Sequence, residues 1–211
     1  MSAAHSSSHP VLAAPVIVPP RTATGFRVMP LPLAGLILIE NAIHGDARGF
    51  FTERFHAERF REHDVTARFV QDNHSRSAPR VLRGLHYQHA PAQGKLVGVV
   101  RGRIWDVVVD VRSGSPTFGA HAAVELSDMN GRLLFVPAGF AHGFCVLGDE
   151  PADLLYKVDA PYEPKGEGGL QWNDPQLGIQ WPIADPIISA RDAGNPSFAA
   201  YAVNPPSWPA P

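Results

Sequence analysis

Between Lys95 and Val111 the chain reads KLVGVVRGRIWDVVVDV, two β-branched runs on either side of Arg101-Gly102-Arg103. Valine and isoleucine lose side-chain freedom in a helix but pack well on a pleated sheet. The pattern predicts a β-hairpin with Gly102 in its turn. In the second run Trp105, Val107, Val109 and Val111 share one face; Ile104, Asp106, Val108 and Asp110 share the other. Proline extends the case to the whole chain, with 21 prolines and 19 glycines among 211 residues. An interior proline costs a helix about 3 kcal/mol, which excludes a mostly helical protein. Further strands are expected in GLILIENAIHGDARGFF (an apolar strand, a Gly-Asp loop and a second strand), AHAAVEL, RLLFVPAGFAHGFCVL and ADLLYKV. Short helices fit near HAERFREH and after ADPIISARDAG. Many short strands separated by Gly/Pro turns point to an all-β sandwich or small barrel.

The prolines gather at the ends, six in residues 1–35 and five in residues 196–211. Residues 1–25, rich in Ser, Ala and Pro, read as a disordered leader, and residues 195–211 as a flexible Pro-rich tail. The leader lacks the basic start of a signal peptide, and Pro15 breaks its apolar run VLAAPVIV. No apolar run approaches the ~18 residues of a membrane span. Charge is nearly balanced, 18 Lys+Arg against 20 Asp+Glu, which argues against nucleic-acid or membrane-surface partners. The single cysteine, Cys145, excludes internal disulfides and multi-cysteine metal sites. A soluble, cytoplasmic protein is expected.

Titratable residues cluster in VLRGLHYQHAPAQGKL (Arg83, His86, His89, Lys95), FVPAGFAHGF (His142) and LLYK (Tyr156). Alone, each suits an ordinary rim or core position. Together, a base, a cation, an acid and a second histidine would converge if the sheet closes, and the mouth of a barrel is a common small-molecule site. Arg83 and His86 are three apart, so a regular strand would point them to opposite faces, unless a bulge at Gly84 re-aims one. The segment Pro137–His142 resembles the second motif of the cupin superfamily, whose histidine often binds metal. The companion motif of metal cupins supplies His-x-His and a glutamate. Here His86 and His89 are three apart, with Gln93 following, which makes a metal site hard to assemble.

The ordered series GDARGFFTERF, FVQDNHSRS, VLRGLHYQ, QGKLVGVVRGRIWDVVVDVRSGSPTFG, FVPAGFAHGFCVL, LLYKVDAPYEP and GLQWNDPQLGIQWP resembles the dTDP-4-dehydrorhamnose 3,5-epimerase family across residues 26–194. The resemblance implies a cupin-type jelly roll with a few short helices, without metal or other cofactor. It further implies a homodimer that acts on a dTDP-4-keto-6-deoxy sugar. By the same resemblance His86 is the base, Asp192 the carboxylate paired with it, Tyr156 the proton donor on the other sugar face, and Lys95 the cation near the developing oxyanion. Arg83 and His142 match further pocket residues. Arg48, Glu53, Gln71, Asn73, Glu167 and Arg191 match substrate-binding residues, the first two of which can come from the partner subunit. Tyr162 matches a second active-site tyrosine that positions substrate. Residue patterns alone would favour Asp106 or Asp110 over Asp192. The chain departs from the family at Gly98, where many members have Arg, at Pro161, where several have an aromatic, and at Arg191, often Lys. Three other readings are a mono-epimerase on a related sugar nucleotide, a non-catalytic sugar-nucleotide-binding cupin and a metal-dependent cupin enzyme.

Overall fold

The computed structural model describes residues 25–208. The leader expected over residues 1–25 lies outside the described residues except for Gly25. The chain runs β1 (Arg27–Pro30), β2 (Ile37–Glu40), a short hairpin of β3 (His44–Asp46) and β4 (Gly49–Phe51), helix α1 (Ala57–Arg61) and β5 (Gln71–Ser77). It continues with β6 (Leu82–Gln88), β7 (Lys95–Arg101), β8 (Arg103–Asp110), β9 (His121–Ser127), β10 (Arg132–Val136), β11 (Phe140–Val146) and β12 (Ala152–Val158). A 3₁₀ turn at Pro164–Gly166, β13 (Glu167–Gly169), α2 (Ala190–Ala193) and α3 (Phe198–Val203) complete it.

Two antiparallel sheets face each other, six-stranded β1-β2-β10-β7-β12-β5 and five-stranded β13-β6-β11-β8-β9. Between them lies a core that includes Val97, Val99, Ile104, Val108, Leu134, Val136, Phe144 and Leu154. Val107, Val109 and Val111 turn the other way, into a second cluster with Leu85, Leu170 and Phe198. The alternation read from the sequence of β8 therefore holds, with Ile104, Asp106 and Val108 on the inner face. A third cluster, on the outer side of the six-stranded sheet, packs Leu96, Leu133 and Phe135 beneath Phe60 of α1. This is a jelly roll.

Two local expectations need correction. First, β7 and β8 do not form a hairpin: β7 lies between β10 and β12, and β8 between β11 and β9 in the opposite sheet. Arg101-Gly102-Arg103 is a corner at which the chain changes sheets. Gly102 takes φ +75°, and a Cβ there would meet the Pro151 carbonyl oxygen at 2.6 Å. Alternation fixes which face a side chain takes, not which strand lies alongside, so the local pattern could not separate a corner from a hairpin. RLLFVPAGFAHGFCVL turns a similar corner at Gly139, φ +94°, between β10 and β11.

Second, the described part of the C-terminal tail is not a flexible extension. α3 lays Phe198 and Tyr201 on the outer face of the five-stranded sheet. The Tyr201 hydroxyl donates to the Val111 carbonyl at 2.7 Å, and Trp208 Nε1 donates to the same oxygen at 3.1 Å. Tyr87 meets both rings edge-on. The prolines obscured three well-spaced aromatics, whose burial outweighs the cost of ordering the segment. Among the described residues no helix is long and apolar enough to cross a membrane, and Cys145 is a free, buried thiol.

Candidate active site

The site is built first by an irregularity in β6. His86 pairs with His142 of β11, but Arg83 pairs with Phe144, so the register slips by one residue between them. Gly84 takes φ +112° at the slip, and a Cβ there would meet the Gly143 Cα at 2.6 Å. The bulge brings Arg83 and His86 onto one side despite their odd spacing. Both line a cavity of about 170 Å³ with Lys95, His142 and Tyr156, walled by Val97, Phe144 and Leu154.

His86 Nε2 lies 2.6 Å from Asp192 Oδ1, and the other oxygen of that buried carboxylate accepts from the Gly84 amide at 3.2 Å. One carboxylate thus holds both the imidazole and the bulge that aims it. Ser189 caps α2 by accepting from the Asp192 amide, which fixes the carboxylate at the helix start. Burial lowers the His86 pKa; Asp192 opposes this and Lys95 reinforces it. The imidazole is therefore kept neutral and able to accept a proton. Lys95 is also lowered by burial, against the pull of Glu167 and Asp106. Tyr156 projects from β12 of the opposite sheet; burial raises its pKa, with Arg83 opposing. It is held as a neutral phenol.

A second carboxylate–imidazole pair lies deeper. His142 Nε2 is 2.8 Å from Asp106 Oδ2, and Asp106 is fully buried. Burial raises the Asp106 pKa, with His142 and Lys95 opposing. Asp106 was legible as a candidate from its strand position, yet it serves His142 rather than His86. Asp110 instead binds Arg112, Ser115 and Thr117.

At the rim, Glu167 Oε2 accepts from the Tyr162 hydroxyl at 2.7 Å and pairs with Arg191 at 2.8 Å. Burial alone would raise the Glu167 pKa, but these two bonds hold it below the ordinary value. Gln71 and Asn73 are half-buried on β5, joined side chain to side chain at 2.8 Å, and Gln71 Oε1 accepts from the Tyr162 amide. Arg48 and Glu53 do not join this group: exposed Arg48 pairs with Asp46 and Glu53 with Arg59. Arg83 donates to the Ser77 hydroxyl at 2.9 Å. Ser75, on the inner face of β5, lines the cavity and carried no sequence signal. The space an arginine would need at Gly98 is taken by Leu133 and the Arg54 guanidinium.

Among the described residues no three His, Cys, Asp or Glu side chains converge as a metal ligand set. His86 and His142 each spend one nitrogen on a carboxylate, and His89 packs beside Tyr87. The arrangement suits proton transfer: a neutral base from one sheet, a neutral acid from the other, and a cation beside both.

Fold and site together define an acid–base isomerase on a cupin-like jelly roll. The family model for dTDP-4-dehydrorhamnose 3,5-epimerase matches residues 30–200. The chain is 50% identical to a Pseudomonas aeruginosa dTDP-4-dehydrorhamnose 3,5-epimerase over 173 residues, covering 80% of this chain and 94% of that protein. It is 40% identical to a Streptomyces niveus dTDP-4-dehydrorhamnose 3-epimerase over 168 residues, 79% of this chain and 81% of that protein. A Legionella pneumophila dTDP-6-deoxy-D-glucose-3,5-epimerase, solved in complex with dTDP-4-keto-L-rhamnose, superposes with a TM-score of 0.82 at 45% identity. That match covers 88% of this chain and 100% of the Legionella chain. The chain belongs to the dTDP-4-dehydrorhamnose 3,5-epimerase family.

Proposed function

We propose that this protein inverts C3 and C5 of dTDP-4-dehydro-6-deoxy-D-glucose to give dTDP-4-dehydro-L-rhamnose, by proton exchange through an enolate. The observation that carries this reading is the placement of His86–Asp192 and Tyr156 on facing sheets with Lys95 beside them. The C4 ketone acidifies the hydrogens on both neighbouring carbons. His86 takes one as a proton, and Asp192 stabilises the imidazolium that forms. Negative charge moves to the C4 oxygen, where the Lys95 ammonium offsets it. Tyr156 then delivers a proton to the opposite face of the same carbon. Arg83 and His142 hold the sugar, while Gln71, Asn73, Tyr162, Glu167 and Arg191 hold its nucleotide side at the rim. The same cycle at the second carbon completes the double inversion, with no metal or organic cofactor taking part.

The working form in this reading is a homodimer. Hairpin β3–β4 carries Phe50 and Phe51 at 66% and 70% exposure beside Arg48, as suits an element that reaches a partner subunit. Arg48 and Glu53 then complete the partner's site. A cytoplasmic location fits a single free, buried cysteine that asks for no oxidising compartment.

The test is turnover of dTDP-4-keto-6-deoxyglucose in D2O, followed by locating the deuterium by NMR. Label at both C3 and C5 supports the reading. Label at one carbon makes the protein a mono-epimerase, and label at neither overturns the substrate assignment.

A further inference from the structure

Gln88 closes β6 two residues beyond His86, is 3% exposed, and has no place in the chemistry above. Its side-chain amide is fully engaged: Nε2 donates to the carbonyls of Pro91 at 2.9 Å and Pro161 at 3.0 Å, and Oε1 accepts from the Glu163 amide at 2.9 Å. Pro161 and Glu163 bracket Tyr162. They lie on the segment that leaves β12, the strand of Tyr156, and leads to β13, the strand of Glu167. One buried amide on the five-stranded sheet therefore clasps the chain that emerges from the six-stranded sheet, at the mouth of the cavity. Gln93 adds a second tie, donating to the Ala160 carbonyl at 2.7 Å.

Besides Gln88, the clasped segment is held by the Tyr162 hydroxyl, which donates to Glu167 at 2.7 Å, and by the Gly166 amide, which donates to the Glu163 carbonyl at 3.0 Å. Pro161 has no N–H to give, and the Tyr162 amide reaches only Gln71 Oε1 at 3.3 Å. Removing the Gln88 amide would free two carbonyls and one N–H on Pro91, Pro161 and Glu163, residues that are themselves exposed, so water would take the place of the amide and the segment would lose its tie to β6.

We infer that Gln88 is a positioning residue: its amide sets the separation between His86 on one sheet and the Tyr156–Tyr162 chain on the other. The inference rests on the epimerase reading above. Pro161 is compatible with this tie, because Gln88 holds its carbonyl and the position needs no N–H.

Two variants of the full-length protein test it, with dTDP-4-keto-6-deoxyglucose in D2O and wild type in parallel. Gln88→Leu keeps the size and loses all three bonds. Deuterium wash-in needs only the base and falls less than about threefold, whereas inversion needs both faces and falls about tenfold or more. Gln88→Glu keeps the shape and titrates. Its protonated form still donates to one carbonyl and accepts from Glu163, but its ionised form donates to neither. Its inversion rate relative to wild type therefore falls as pH rises, while the Gln88→Leu ratio stays flat. If Gln88→Leu does not fold, the Gln88→Glu profile decides alone. Equal losses of wash-in and inversion in a folded Gln88→Leu, or a flat Gln88→Glu ratio, overturn the inference. A wild type with no wash-in overturns the epimerase reading itself, and this inference with it.

Discussion

At the scale of single residues, the chemistry depends on a histidine kept neutral. Burial holds the His86 pKa below the ordinary value of about 6.5, and Asp192 pulls it back up. The acid limb of kcat/KM is therefore expected below that value. Asp192→Asn removes the upward pull, so the limb moves to still lower pH. Its plateau drops about a hundredfold, because the imidazolium loses its counter-charge. A pH–rate profile of both proteins checks the two effects. The linked stability follows the same sign: what neutral His86 contributes is complete above about pH 6.5 and is lost as pH falls through the lowered folded value. Much of this site was legible residue by residue. Arg83, His86, Lys95, His142 and Tyr156 stood out as titratable groups on expected strands, and all five line the cavity. Asp192 did not. It lies 106 positions from His86, and no periodicity links a short helix near the end of the chain to a strand in its middle. Only the family resemblance pointed to it.

At the scale of elements, the bulge in β6 decides where Arg83 and His86 point. Gly84→Ala should be among the most damaging small substitutions. A Cβ there meets the Gly143 Cα at 2.6 Å and the His142 carbonyl oxygen at 2.7 Å, with φ at +112°. A loss of about 2–4 kcal/mol is expected, with reduced wash-in because His86 is re-aimed. Urea denaturation and exchange assays on one preparation measure both. The parity conflict between Arg83 and His86 flagged this glycine in the sequence, since a functional pair at the wrong spacing calls for a bulge. Corners gave no such warning. Gly102 and Gly139 mark places where the chain leaves one sheet for the other, and strand alternation reads the same on either side of a corner and of a hairpin.

At the scale of the whole molecule, the C-terminal segment and the assembly carry separate expectations. Phe198 is 2% exposed against the outer sheet face, so Phe198→Ala should cost about 3–5 kcal/mol, read as a lower melting temperature. A tail read from its prolines alone would be silent to this change. The proposed dimer makes a sharper claim. Arg48→Ala and His86→Ala should each be inactive as homodimers. Mixed and refolded together, they should regain part of the wild-type rate, because one site of each heterodimer receives both native residues. No recovery would place Arg48 outside the shared site.

The central claim is that base and acid work from facing sheets on opposite faces of one sugar ring. Its most direct test is Tyr156→Phe with dTDP-4-keto-6-deoxyglucose in D2O, following wash-in and inversion together by NMR. Deuterium should still enter, because His86 and Asp192 are intact, while inverted product should fall to a small fraction of the wild-type yield. A Tyr156→Phe enzyme that inverts at the wild-type rate would contradict the claim.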